Sequence, residues 1–141
     1  GGDHYATHLL KNVRSSGSGA LEYVYDAEPV ERVEISSENL SAVLAGMHDL
    51  ATDGAVSQYF KDCIVDAAAK TGTIQTGDTK NNNGAFVCFA PYDDPQIAVA
   101  IVIEKGGSGA ALASTAVQVL NAYFSNTSAS SAITGENTLL G

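Results

Sequence analysis

Tryptophan is absent from the 141 residues, methionine occurs once, cysteine twice and proline three times, and seven Lys plus Arg stand against sixteen Asp plus Glu. The resulting charge of −9 argues against nucleic acid and against an anionic membrane surface, since both recruit basic patches. No apolar run is long enough to span a bilayer, and the first residues lack the charged and apolar regions of a signal peptide. Two cysteines make no disulfide framework. Cys88 lies inside an apolar run and reads as a small buried hydrophobe. Cys63 sits in a loop, and the register predicted below turns Cys88 towards Thr71 or Gly72, so no bridge between the two is expected.

What is present suffices for one domain: 45% of the residues are hydrophobic, and a chain of this size can bury roughly 68–70% of its unfolded surface. Residues 5–35 read as strands and turns, with a strand over Tyr5 to Val13, a flexible turn at Ser15 to Gly19 and weak alternation over Ala20 to Tyr25. Glu22, Asp26, Glu28, Glu31, Glu34 and Glu38 read as a solvated acidic face, because they lack the tight loop spacing of a calcium site. His4 and His8 are four apart, but nothing else supports a helix there and zinc wants further ligands. Ser36 or Ser37 caps a helix near 37–51, along which Leu40, Val43, Leu44, Met47 and Leu50 form a core-facing stripe. His48 falls at its polar side or boundary. A short helix over Ala55 to Phe60 follows.

The chemistry concentrates in Ala67 to Gln75, where an apolar strand gives way to Lys70-Thr71-Gly72-Thr73. Lysine is almost never fully buried unless paired, so Lys70 is placed on a groove. A cation with two hydroxyls can grip a carboxylate, glycine lets another backbone approach, and a free strand edge can pair with an extended peptide. Thr71 and Thr73 point to one face, Lys70 and Gly72 to the other. On these four residues alone, an exposed strand end running into a turn is an equal alternative.

Strands near 67–76, 85–91 and 96–104 make an antiparallel meander. The unbroken apolar runs Ala85 to Ala90 and Ile97 to Ile103 predict cover on both faces. A last helix near 109–124 lines up Leu112, Ala116, Val119 and Tyr123 beside Ala113, Val117, Leu120 and Phe124, with Ser114, Gln118 and Asn121 as its polar face. The predicted class is α+β. Residues 1–124 form the domain, and the Ser-, Thr- and Asn-rich stretch 125–141 is predicted to be a flexible polar tail.

The segment Lys70-Thr71-Gly72-Thr73 resembles the Lys-Thr-Gly-Thr motif of penicillin-binding proteins. The flanks continue the resemblance: Phe89-Ala90-Pro91, the acidic turn Asp93-Asp94-Pro95, the strand Ile97 to Glu104, the helix opening Gly106 to Ala110, and upstream the helix with Gly46-Met47 and the following Gly54. Ala69 where glycine is usual, Ala85 where tryptophan is common, and the lack of proline in Leu112 to Val117 are departures. The resemblance implies a partial transpeptidase fold, with Gly1-Gly2 at a turn after a long helix, as in a chain cut from something longer. It implies a serine acyltransferase that cross-links peptidoglycan stem peptides and is acylated by β-lactams, on the extracytoplasmic face of a membrane-anchored parent. It implies neither cofactor nor metal.

Carried over by residue, Lys70 supplies positive potential and helps the proton shuttle, Thr71 holds the substrate carboxylate, Gly72 allows close approach, and Thr73 gives its N–H to the oxyanion hole. The nucleophile is missing: no Ser stands three residues before any Lys, and Ser37-Glu38-Asn39 reads as a helix cap. This chain alone is therefore expected to be inactive. A β-lactam sensor domain and a non-catalytic pseudoenzyme or binding module of the same fold are the alternatives. The strand Ile97 to Ile103 would present a bare edge, to be covered by residues 5–25 folding back or by another copy of the chain.

Overall fold

The computed structural model describes residues 2–77 and 82–133, with side chains to residue 126. It divides into two compact units, residues 1–40 and 41–141.

In the first unit, β1 (Asp3–Tyr5) pairs antiparallel with β4 (Pro29–Arg32), and β2 (Asn12–Arg14) with β3 (Leu21–Val24). The strand expected over Tyr5 to Val13 is thus two short strands with a break between them. The break has local partners: the His8 ring stacks on Tyr25 at 3.9 Å and bonds the Ala6 carbonyl. A turn closed by Ser15 N–H to the Ala20 carbonyl at 2.9 Å, with Gly19 at φ 68°, joins β2 to β3. Strands 1–4 pair with one another, so the ladder partners of residues 5–25 lie within this unit. None of its described residues is buried.

Helix α1 (Ser37–Thr52), of which residues 41–52 belong to the second unit, is followed by the single turn α2 (Ser57–Phe60). Ser36 is the cap, its Oγ accepting the Asn39 N–H at 3.2 Å. The apolar stripe of α1 is shallower than its spacing predicts: Ala51 is buried, Leu40, Leu44, Met47 and Leu50 are half-buried, and Val43 is exposed. The sheet runs β5 (Ala68–Ile74), β6 (Asn83–Ala90), β7 (Ile97–Ile103) in that order, all antiparallel, as the meander predicts. A turn of 3₁₀ helix (Gly109–Leu112) leads into α3 (Ala113–Ile133).

One face of the sheet carries the core. Gly84, Phe86, Cys88 and Ala90 of β6 are buried in strict alternation, and Leu112, Ala113, Ala116 and Leu120 pack with Phe86, Cys88 and Ala90. Small residues at 113 and 116 let the helix axis come close to the strands. The expectation of cover on both faces fails for a simple reason: an apolar run does not distinguish Val87, exposed between buried Phe86 and Cys88, or Val102, exposed beside half-buried Ile101, from a core position. Likewise Ala113, Ala116, Val117 and Leu120 are the buried residues among the described side chains of α3, while Val119 and Tyr123 face outward. Beyond Phe124, helix continues to Ile133 in place of the expected tail, since no Gly or Pro interrupts the chain before Gly135. Residues 134–141 lie outside the described residues.

Candidate functional site

The register fixes what each motif residue can reach. Lys70 lies opposite Val87, which lies opposite Ala100; Thr71 faces Phe86, Gly72 faces Ala85 and Thr73 faces Gly84. Directly opposed residues share a face, so Thr71 and Thr73 lie on the helix-covered side and Lys70 and Gly72 on the other. A ligand touching both sets must therefore lie along the edge of β5, the side not used by β6. Among the described residues that edge carries no strand. Lys70 and Thr73 are exposed there, Thr71 and Gly72 half-buried.

The Lys70 ammonium folds back to the edge, donating to the carbonyl of Thr71. Alternate residues of an antiparallel strand direct their backbone groups to the same side, so the Thr73 N–H shares the side of that carbonyl. Gly72 holds no unusual φ; a Cβ there would come within 3.3 Å of the Ala85 Cβ on the Lys70 face. On the opposite face the backbone of Gly109 lies against Gly72, close enough that a Cβ on residue 109 would fall 2.2 Å from both the Gly72 and Ala85 carbonyl oxygens. It is the missing Cβ of Gly109, and not that of Gly72, that admits this contact with the chain's own helix start, a contact that residue spacing alone gives no sign of.

The start of β5 is held by three neighbours. Asn121 of α3 accepts the Ile64 N–H and donates to the Asp62 carbonyl, both at 2.9 Å, so a residue read as polar surface is an anchor. The Asp66 carbonyl accepts the Tyr92 N–H at 3.0 Å. Its carboxylate accepts from His48 Nε2, 2.9 Å from each oxygen, and the His48 ring stacks on Tyr92 with centroids 4.2 Å apart. Sequence reading misses this cluster, because its members are 18 and 26 residues apart and share no local periodicity.

His4 and His8 go to different partners, His4 to Glu31 at 3.6 Å and His8 to Tyr25. Both cysteines are free, and Cys88 lies opposite Ala69, two to three residues from the position expected, because β6 begins at Asn83 and shifts the register. Burial pushes the Cys88 thiol up to about 11 and, beside Asp66, raises Cys63 as well. The sign follows: the unfolded chain loses the Cys88 proton near 9.0 and the folded chain near 11, so stability falls as pH rises through that window and is unaffected below it. We expect a thiol reagent at neutral pH to modify half-buried Cys63 first and Cys88 only on unfolding, read by intact mass with and without denaturant; equal rates would contradict the buried position of Cys88.

An antiparallel sheet backed by a C-terminal helix, with a lysine and two threonines at its free edge, defines a fold class that comparison identifies. A family model for the penicillin binding protein transpeptidase domain matches residues 1–124, and the chain belongs to that family. Penicillin-binding protein 2A of Bacillus subtilis is 32% identical over 116 residues, covering 73% of this chain and 16% of that protein. Peptidoglycan D,D-transpeptidase MrdA of Escherichia coli K12 is 30% identical over 130 residues, 81% of this chain and 20% of its own length. The chain therefore spans about a fifth of the curated relatives it matches. Among solved structures, penicillin-binding protein 2B of Streptococcus pneumoniae superposes with TM-score 0.70 at 23% identity, covering 86% of this chain and 22% of that one. Pseudomonas aeruginosa PBP2, in complex with WCK 5153, gives 0.66 at 29% identity, with 86% and 27% covered.

Proposed function

We propose that this chain is the substrate-binding wall of a peptidoglycan D,D-transpeptidase, with β5 as one side of the cleft in which stem peptides and β-lactams are bound. The observation that carries the reading is the ammonium of Lys70 turned to the free edge of β5, on the side to which Thr73 directs its N–H. A cation and an edge N–H side by side suit a carboxylate next to a developing oxyanion. In this reading Lys70 supplies positive potential and assists proton transfer, Thr71 and Thr73 hold the carboxylate, and the Thr73 N–H stabilises the tetrahedral oxyanion. Gly72 leaves the Lys70 face open to the incoming peptide.

The nucleophile comes from elsewhere, because no Ser precedes a Lys by three residues here. The MrdA relative is a D,D-transpeptidase by name, and a Mycobacterium tuberculosis neighbour of the same fold is an imipenem acyl-enzyme, in keeping with this class of substrate. The corresponding site of action is the outer face of the bacterial membrane, where peptidoglycan is cross-linked; among the described residues no helix is long and apolar enough to cross a membrane.

The test is covalent labelling by a fluorescent penicillin, read by intact mass, on this chain and on the chain extended upstream through its native reading frame. Labelling of the extended protein with a silent fragment is the expected result. Silence from both would reduce the reading to a non-catalytic relative of the fold.

A further inference from the structure

Helix α1 buries Ala51 alone completely, with Leu40, Leu44, Met47 and Leu50 only half-buried. Its polar tie is correspondingly conspicuous. His48 donates from Nε2 to both oxygens of Asp66 at 2.9 Å and lies flat on Tyr92. Asp66 is four residues upstream of Lys70, and Tyr92 follows the end of β6. The neighbouring helix residue, Met47, lines an apolar cavity of about 210 Å³ with Val87, Phe89, Ala98 and Ala100. Val87 and Ala100 are the cross-strand neighbours of Lys70 on its own face of the sheet.

We propose that His48 and Asp66 form a latch that docks α1 on the Lys70 face and so sets the apolar wall beside the Lys70 side chain. Both are positioning residues: neither touches the edge where a ligand binds, and they act through Met47 and Val87. The consequence for catalysis rests on the functional reading of Lys70 given above; the latch itself does not.

Met47 is the single methionine, so a ¹³C-methyl methionine label gives one resonance that reports the docking directly. His48→Phe keeps the stack on Tyr92 and removes the donor; His48→Gln keeps a donor. In this chain, His48→Phe is expected to move the Met47 methyl resonance towards that of a solvent-exposed methionine, and His48→Gln to leave it near the wild-type position. Adding Asp66→Asn to His48→Phe should move it no further, because coupled partners are not additive. An unmoved resonance in His48→Phe, with sheet and α3 amides in place, overturns the latch. Should that variant not fold, Asp66→Ala, which removes both acceptor oxygens, carries the same expectation, and an unmoved resonance there overturns the latch equally.

In the chain extended upstream, the limiting rate of acylation by penicillin should fall about tenfold in His48→Phe while the dissociation constant of the initial complex changes less than about twofold, with His48→Gln restoring the rate. Equal losses in both variants would reduce the pair to general stability and overturn the positioning role. If the wild-type extended protein is not acylated, the functional reading fails, and the Met47 resonance still decides the latch.

Discussion

Gly109→Ala is expected to lower the melting temperature of this chain by roughly 10–20 °C, the equivalent of about 3 kcal/mol for a unit of this size. The added Cβ would lie 2.2 Å from the carbonyl oxygens of Gly72 and Ala85 and 2.8 Å from the Gly72 nitrogen. All three are backbone atoms of paired strands, so no side chain can swing aside to make room. Relief requires lifting the helix start off the sheet, which would undo the burial of Leu112 and Ala113 that follows it, or pulling β5 from β6. Gly72→Ala is the internal control, because its Cβ meets the Ala85 methyl at 3.3 Å and the Ala85 carbonyl oxygen at an ordinary 3.6 Å and should cost no more than about 1 kcal/mol. Thermal unfolding followed by circular dichroism measures both. A Gly109→Ala variant melting with the wild type would mean that the helix start does not rest on the motif strand.

That contact shows where sequence reading stops. The three strands of the second unit, their order and the α3 helix are legible because short apolar runs bounded by turn residues and a period of 3.6 are local signals. The division of faces at Lys70 to Thr73 is legible for the same reason. Depth of burial is not: the stripe on α1 and the outer residues of β6 and β7 are as apolar as core positions, yet Val43, Val87 and Val102 are exposed. Contacts set by tertiary placement, such as Gly109 on Gly72 or His48 on Asp66, leave no periodic trace. The stretch after Phe124 reads as a tail because Ser, Thr and Asn weigh towards disorder in composition, whereas none of them breaks a helix already anchored by the apolar face of α3.

Lys70→Ala should separate function from stability at the motif strand. The side chain is exposed and its bond to the Thr71 carbonyl stays within its own strand, so its removal should leave the melting temperature close to wild type, within about 0.5 kcal/mol. In the chain extended upstream, penicillin acylation should fall about 100-fold or more, the usual cost of removing a group that assists proton transfer and stabilises developing negative charge. Lys70→Arg keeps the charge but replaces a compact ammonium by a planar fork, so it should recover binding of the carboxylate better than it recovers the rate. Thr73→Ala keeps the backbone N–H and should therefore cost less than Lys70→Ala; equal losses would put the threonine hydroxyl, rather than the N–H, at the centre of oxyanion stabilisation. Unchanged acylation in Lys70→Ala would remove the cation from the mechanism and leave the edge of β5 as a surface without chemistry.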